Sequence, residues 1–505
     1  MSADWTSALA RARENAPFLA RALDRRPDLA ELLAAGEEEQ ALLAAKQVEA
    51  ADIPTALRRE RLGLALVLAV GDLAGAFDLY KVMRELSFFA DRALHDAIGA
   101  AILRRVPDAE PAGLIGLALG KHGAGELNYS SDIDPILLYE PETLARRERD
   151  EPGEAAQRYA REIVRLLSEV TAEGYVFRVD LRLRPASEVS PLAIPLDAAI
   201  THYESSALAW ERAAFIRARA CAGDIAAGEA FLDHIRPFVW RRSLDFGAID
   251  EIRRLTHRIR DKQSGPPVPQ PGYNLKLGRG GIREIEFFAQ THQLIHGGRD
   301  PALRVRGTRQ TLDALAATGR ISQDDARALG ESYDGLRTIE HRLQMIGDQQ
   351  THSLPSGEAL DTAARLHGLA DGAALVEYVR DLARPVAERF DALHRQRYGH
   401  TMPDPIQLIH LRVRGIGKNK HPEIKKAPTR LNGKATPIGS RQAYCFAIRD
   451  KTEFRVFLRK DLKASDKIEG PAVVEEDTTT LILHSDQRLH VDDFGHLIIR
   501  GENKV

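Results

Sequence analysis

The sequence predicts an α+β protein followed by a small all-β module, and three observations carry that prediction. Leucine, alanine and phenylalanine recur at helical spacing through residues 18–104 and again from 197 to about 393. Between residues 113 and 185 that period gives way to short apolar runs of the kind strands use. Beyond residue 400 the apolar residues alternate and are β-branched or aromatic. Cation usage changes at the same place: residues 1–400 hold 5 Lys and 47 Arg, residues 401–505 hold 10 Lys and 9 Arg. Pro403 and Pro405 stop any continuing helix there, which places a domain boundary between about 395 and 405.

Taken in order, residues 1–105 read as a helical N-terminal region, with helices over 18–34, 53–70 and 72–104. Residues 106–262 read as a mixed-sheet domain, with strands at 113–120, 132–140 and 175–185 around a helix at 155–173. Residues 263–398 read as a helical bundle, entered through QSGPPVPQPGY (263–273), a Gly/Pro-rich stretch expected to be a mobile loop. Residues 399–505 carry strand-like runs at 408–415, 441–449, 453–459, 471–476, 478–484 and 496–500, which makes an all-β tail.

Composition narrows the function. With 71 Lys and Arg against 73 Asp and Glu, the net charge of -2 supplies no basic field for a nucleic acid, so any anion site is local. Two cysteines, Cys221 and Cys445, lie in no metal-ligand spacing; they exclude a disulfide scaffold and a cysteine zinc site and point to the reducing cytoplasm. The longest apolar stretch, LGLALVLAV (62–70), is too short to span a bilayer, and the start lacks a signal-peptide core.

The chemistry concentrates in GKHGAGELNYSSDIDPILLYE (120–140) and VDLRLRP (179–185). On one strand Asp132 and Asp134, at i and i+2, share a face. Asp180 on a further strand brings a third carboxylate, the donor set a hard Mg²⁺ ion takes when substrate phosphates share it. Gly120, Gly123 and Gly125 let the backbone approach a phosphate, and Lys121 offers a point charge. Arg182 and Arg184 are expected on the Asp180 strand face, able to fork onto anionic oxygens. An Asp-x-Asp alone usually marks a turn, Lys121 alone a solvated lysine, and the two arginines an exposed strand face. The combination is what points to phosphate chemistry.

These motifs resemble the glutamine synthetase adenylyltransferase family, whose members carry two nucleotidyltransferase domains of the DNA polymerase β type. LRRERLGLALVLAVGDLAG (57–75), WERAAFIRARACAGD (210–224), NLKLGRGGIREIEFFAQTHQLIHGG (274–298) and IEHRLQMIGDQQTHSLP (339–355) follow the same family, so the resemblance covers residues 1 to about 393. WERAAFIRAR and GRGGIREIEF resemble the N-terminal, adenylyl-removing copy. The resemblance implies phosphorolysis of adenylyl-tyrosine on glutamine synthetase to ADP in nitrogen regulation, with Asp132, Asp134 and Asp180 catalytic and binding Mg²⁺. Gly120, Lys121, Ser131, Arg182, Arg184, Lys276 and Arg279 form the expected nucleotide and phosphate set. Implied partners are adenylylated glutamine synthetase, inorganic phosphate, ADP or ATP and the PII signalling protein, with no membrane or nucleic acid.

Other positions stand open between support and structure. Glu211, Arg217 and Arg219 are placed on one helix, where at most one reaches the site. Arg283, Glu284 and Glu286 are either catalytic supports or a charged first turn, and His341 and His352 serve packing or the surface. Two departures stand out. Pro135 replaces the usual aliphatic residue and is expected to weaken or bulge the strand, and no second nucleotidyltransferase half follows. RQRYGHTMPDPIQLIHLRVRGIG (395–417) and GPAVVEEDTTTLILHSDQRLHVDDFGHLIIR (470–500) instead resemble the C-terminal β-domain of the hydantoinase and oxoprolinase A subunit, with Glu475, Glu476 and Asp477 as solvated loop charges. Rival expectations are transfer of AMP from ATP to a protein tyrosine, and a catalytically silent binding module.

Overall fold

The computed structural model describes residues 3–242, 265–398, 426–430, 434–476 and 479–501. The chain divides into two compact units, Met1–Pro405 and Ile406–Val505. The expected strand at 408–415 and Asp477 lie outside the described residues.

The first unit opens with α1 (Trp5–Asn15), α2 (Pro17–Arg25), α3 (Pro27–Ala34), α4 (Glu38–Lys46), α5 (Ile53–Ala74) and α6 (Leu79–Leu103). The single helix expected over 18–34 is two, because Pro27 starts α3 and leaves Arg26 non-helical. The helix expected over 72–104 is likewise broken. Gly75, at φ +77°, ends α5, and Asp78 starts α6 by accepting the Lys81 N–H at 2.6 Å.

Next come β1 (Leu114–Ala118), α7 (Gly120–Ala124), β2 (Asp132–Ile133), β3 (Pro135–Tyr139), α8 (Pro152–Ser168), β4 (Arg178–Val179), β5 (Ala193–Pro195), α9 (Leu196–Ser205), α10 (Ala209–Phe215) and β6 (Arg219–Gly223). Strands β5, β3, β1 and β6 form a mixed sheet in that order, with β1 antiparallel to β3 and β6 and β3 parallel to β5. Alternation divides its side chains between two cores. Leu114, Ala118, Leu137 and Tyr139 join residues of α5, α6 and α8, whereas Ile115, Leu117, Ile136 and Leu138 meet Tyr203, Phe215 and Phe231. The helical N-terminal region and the sheet therefore share one core. Strands β5 and β6 fall outside the sequence expectation, being three and five residues long and set among helical patterning.

After α11 (Ile225–His234) and α12 (Arg236–Val239), the bundle consists of α13 (Ile282–His296), α14 (Thr308–Ala317), α15 (Gln323–Gly347), α16 (Glu358–His367) and α17 (Gly372–Tyr398). Ile285, Leu312, Leu336 and Val379 form its core. Residues 265–273 are irregular, as expected, but they are anchored rather than loose. Gly272 N–H donates to Leu354 O at 2.8 Å, Leu354 N–H returns to Tyr273 O at 2.9 Å, and Tyr273 is fully buried. Among the described residues no helix is long and apolar enough to cross a membrane.

The second unit is all β as described: β7 (Gly439–Cys445), β8 (Asp450–Leu458), β9 (Lys467–Glu469), β10 (Ala472–Glu475), β11 (Thr480–Leu483), β12 (Gln487–Val491) and β13 (Leu497–Gly501). They form sheets β11-β10-β8-β7 and β13-β12-β9 around Phe457, Ile468, Val474, Leu483 and Leu489. Glu475 ends β10 and pairs with Arg441, and Glu476 pairs with Arg459, so neither is a lone solvated charge.

Candidate active site

The three carboxylates meet, but not by the route the sequence suggested. Asp132 and Asp134 do not share one strand. Pro135, lacking an N–H, begins β3 opposite Ala118 in the main sheet, while Asp132 and Ile133 form β2 and pair in parallel with Arg178 and Val179 of β4. Asp134 sits at the junction. The Asp180 N–H donates to Ile133 O at 2.9 Å, which fixes Asp180 just past β4 and next to that junction. Asp132, Asp134 and Asp180 line one cleft of about 520 Å³ together with Gly120, Lys121, Ser131, Arg182 and Lys276.

Each carboxylate has a different electrostatic setting. Asp132 accepts from Arg178 Nε at 2.6 Å, and Arg178 also donates to Ser130 O at 2.9 Å. Asp180 is held below its ordinary pKa first by the Arg182 side chain, whose Nε lies 2.9 Å from both carboxylate oxygens. Asp134 goes the other way. Burial, then the charge of Asp180, pushes it up to about 7 against the pull of Lys276.

The turn after β1 makes room for this. Gly120 has φ +56°, and a Cβ there would stand 2.8 Å from Asp134 Oδ2. Gly120→Ala is therefore expected to cost roughly 1–3 kcal/mol of stability from backbone strain and to move Asp134. Urea unfolding checks the first effect and turnover the second; an alanine variant with unchanged turnover would show that Asp134 tolerates displacement.

Several expected residues take other roles. Residues 181–190 turn rather than extend, so Arg182 and Arg184 share no strand face with Asp180. Arg184 donates to the carbonyls of Leu181, Ser187 and Pro191, holds that turn, and is absent from the cleft lining. Lys121 does line the cleft, but its Nζ pairs with Glu340 at 3.1 Å; burial, then Arg337, brings its pKa down to about 8. Lys276 lines the cleft with no ion-pair partner among the described residues, whereas Arg279 lies outside the lining and its carbonyl accepts from Tyr273 OH at 2.7 Å. Glu211 caps α10, accepting from Leu208 N–H at 2.7 Å. Arg217 and Arg219 are not on that helix: Arg217 reaches the cleft, while Arg219 opens β6 and forks onto Asp91 at 2.7 and 2.8 Å. Glu284 accepts the Gly280 N–H at 3.0 Å, a loop contact. Glu286 is buried against Arg217 at 3.2 Å; burial alone would raise its pKa, but Arg217, Lys121 and Arg337 outweigh it and hold it at about 2.

Sequence reasoning missed Arg178 and Glu340, left Arg283 open between catalytic support and a charged first turn, and gave His352 to packing or the surface. Arg283 lines the cleft without an ion-pair partner among the described residues. His352 lines it as well, with Nδ1 2.6 Å from Glu340 Oε1, while His341 is buried in α15. A signal for Glu340 was present: Tyr333, Arg337, Glu340 and Gln344 recur along one face of α15, and all four are buried. That face bolts the bundle to residues 126–130, the segment that leads into Asp132. Arg337 donates to Glu126 O and Asn128 Oδ1, each at 2.6 Å, and Gln344 Oε1 accepts the Ser130 N–H at 2.8 Å.

The fold also brings Cys221 to Asp91 and His122, with potential ligand atoms within 4.8 Å of one another, a grouping that the spacing of the two cysteines did not suggest. As folded the group is a largely buried polar cluster in which His122 Nδ1 has no hydrogen-bond partner among the described residues. His122 Nε2 and Arg219 both bond Asp91, and burial, then Asp91, pushes the Cys221 thiol up to about 12.

Residues 3–234 match the family model of glutamate-ammonia ligase adenylyltransferase. Residues 251–396 match that of the GlnD PII-uridylyltransferase, and 383–500 that of the hydantoinase/oxoprolinase C-terminal domain. Similar curated proteins are named bifunctional glutamine synthetase adenylyltransferase/adenylyl-removing enzyme. That of Caulobacter vibrioides is 49% identical over 313 residues, 60% of this chain and 32% of that protein. Those of Rhizobium meliloti and Xanthobacter autotrophicus are 44% and 45% identical over 358 and 357 residues, each 68% of this chain and 36% of the relative. The chain thus spans about a third of the length of the curated relatives it matches.

Proposed function

We propose that the first unit is a nucleotidyltransferase that removes adenylyl groups from a tyrosine of glutamine synthetase by Mg²⁺-dependent phosphorolysis, releasing ADP. The observation that carries this reading is the composition of one cleft, in which three carboxylates converge and two cations, Lys276 and Arg283, have no ion-pair partner among the described residues. The relatives' names supply glutamine synthetase as the protein substrate. The match of 251–396 to a PII-uridylyltransferase supports PII as a regulatory partner. Two free, buried cysteines fit a cytoplasmic setting.

The donor set suits Mg²⁺. It is all oxygen, and Asp134 is a half-buried carboxyl disfavoured in its charged form until a cation stands against it. Asp132, Asp134 and Asp180 would hold the ion; when bound it neutralises charge on the transferring phosphoryl group. Lys276 and Arg283 hold inorganic phosphate, while Glu340, paired with Lys121 and His352, fixes the wall behind them. An oxygen of phosphate attacks the adenylyl phosphorus and forms the P–O–P link of ADP. The bond from phosphorus to the tyrosine oxygen breaks, and its electron pair leaves with the phenolate, which takes a proton from solvent. Phosphate arrives anionic and needs no general base, which fits an Asp180 kept ionised by Arg182.

Lys276→Ala is expected to raise the KM for phosphate about tenfold with a smaller change in kcat, since it removes one charge-assisted contact to the nucleophile. Steady-state rates against phosphate concentration test this, and an unchanged KM would remove Lys276 from the phosphate site. The reading as a whole is tested with the full chain, adenylylated glutamine synthetase, Mg²⁺ and phosphate. ADP should form only with phosphate, and not in Asp132→Asn, while intact mass shows loss of AMP. Pyrophosphate formed from ATP and unmodified glutamine synthetase would reverse the direction. Partner binding without turnover would reduce the unit to a binding module.

A further inference from the structure

The cleft lining changes character along two of the helices that line it. On α13, Arg283 and Glu286 stand nearest the N-terminus, and Phe287 and Gln290 follow on the same face. At 1.5 Å per residue, Gln290 lies about 10 Å along the axis from Arg283. On α10, Trp210, Ala213 and Ala214 line the cleft, and Arg217 follows just past the helix end. Arg217 bonds Glu286 at 3.2 Å, so the charged parts of both walls meet at one place; Phe287 follows directly on Glu286, Gln290 lies a further turn along α13, and Trp210 stands at the other end of α10 from Arg217.

A ligand matching that gradient is an anion at one end and a flat, apolar ring with a hydrogen-bonding edge at the other, a nucleotide. Trp210 is part-buried and Phe287 buried, so both offer aromatic surface to a base. Gln290 is part-buried, and among the described residues its carboxamide has no hydrogen-bond partner. A carboxamide presents one donor and one acceptor, which match N7 and the N6 amino group of adenine. Guanine offers two acceptors on that edge, O6 and N7, and leaves the carboxamide oxygen unmatched.

We propose that Trp210, Phe287 and Gln290 form a base subsite that selects adenine. The proposal rests on the phosphorolytic reading for the identity of its nucleotide, ADP as product. Calorimetric titration of the full chain with ADP, GDP and inorganic phosphate, in Mg²⁺, tests it apart from turnover. Wild type should bind ADP at least about tenfold more tightly than GDP. Trp210→Ala should weaken ADP about tenfold while Trp210→Phe retains most of the affinity. Gln290→Ala, at a half-exposed position that threatens no core, should bring ADP and GDP affinities together, and all three variants should bind phosphate as wild type does. Equal ADP and GDP affinities in wild type, or an ADP affinity indifferent to Trp210→Ala and Gln290→Ala, would overturn the subsite even if deadenylylation is found. Adenine selection that depends on these residues, without deadenylylation, would support the subsite and overturn the phosphorolytic reading.

Discussion

Replacing Asp134 by asparagine is expected to lower turnover by at least about 10³-fold and, at the same time, to make the metal-free protein more stable above neutral pH. The two effects share one cause. In the folded chain the Asp134 carboxyl has its pKa pushed up to about 7 by burial and by Asp180, against an ordinary value of 3.8. Between those values the folded chain keeps a proton the unfolded chain has released. The stability this group contributes is therefore full below about pH 4 and is lost as pH rises toward 7. Above that, the half-buried carboxylate costs at most on the order of 4 kcal/mol, at about 1.36 kcal/mol per pH unit, and the neutral amide carries no such cost. With EDTA present, the urea midpoint of Asp134→Asn should exceed wild type at pH 8 and approach it at pH 4. Magnesium should narrow or reverse the pH 8 difference, since only wild type presents the full carboxylate set. Midpoints that agree at both pH values would show that Asp134 is not destabilised by its surroundings.

The largest loss of stability is expected from Arg337→Ala, about 3–5 kcal/mol. Arg337 is fully buried in α15, its Nε lies 3.2 Å from Glu340 Oε2, and it donates to Glu126 O and Asn128 Oδ1. Removing it strips the buried Glu340 of one cation and leaves two acceptors, Glu126 O and Asn128 Oδ1, without their donor. Glu126 also accepts from Thr308 N–H at 2.6 Å and Tyr333 OH at 3.0 Å, so the loss spreads to α14 and to the rest of α15. Thermal unfolding should show the whole first unit melting earlier in one transition, because the bundle and the sheet meet through this network. A split into two transitions, with the sheet unaffected, would mean that the bundle folds apart. Arg337→Lys should fall between alanine and wild type: it keeps the charge and loses the fork.

How far the sequence could be read depended on whether the interactions concerned were local. The helices α5, α6 and α8 and the strands β1 and β3 were legible because their apolar residues keep a period that burial on one or two faces demands. The break at Arg26–Pro27 was written in the proline and overlooked within a longer helical pattern. Strands β5 and β6 were not legible, since runs as short as AIP and RACAG become strands only through partners found far along the chain.

By itself the sequence determined most of the long helices, strands β1 and β3, the change of composition near residue 400, and the candidate residues that line one cleft: a glycine turn, three aspartates and a lysine at 276. Their roles were decided by tertiary structure. Pro135 splits the strand, so Asp132 lies in one sheet and Asp134 at the junction before the other, and β4 holds Asp180 beside the break. Arg184 became a turn brace, and Lys121 was given to Glu340, 219 positions away in sequence. A carboxylate's pKa, a lysine's availability and a glutamine's freedom depend on the groups that share its few cubic ångströms. Local spacing is carried by neighbours in the chain, but charge and burial are set by neighbours in space.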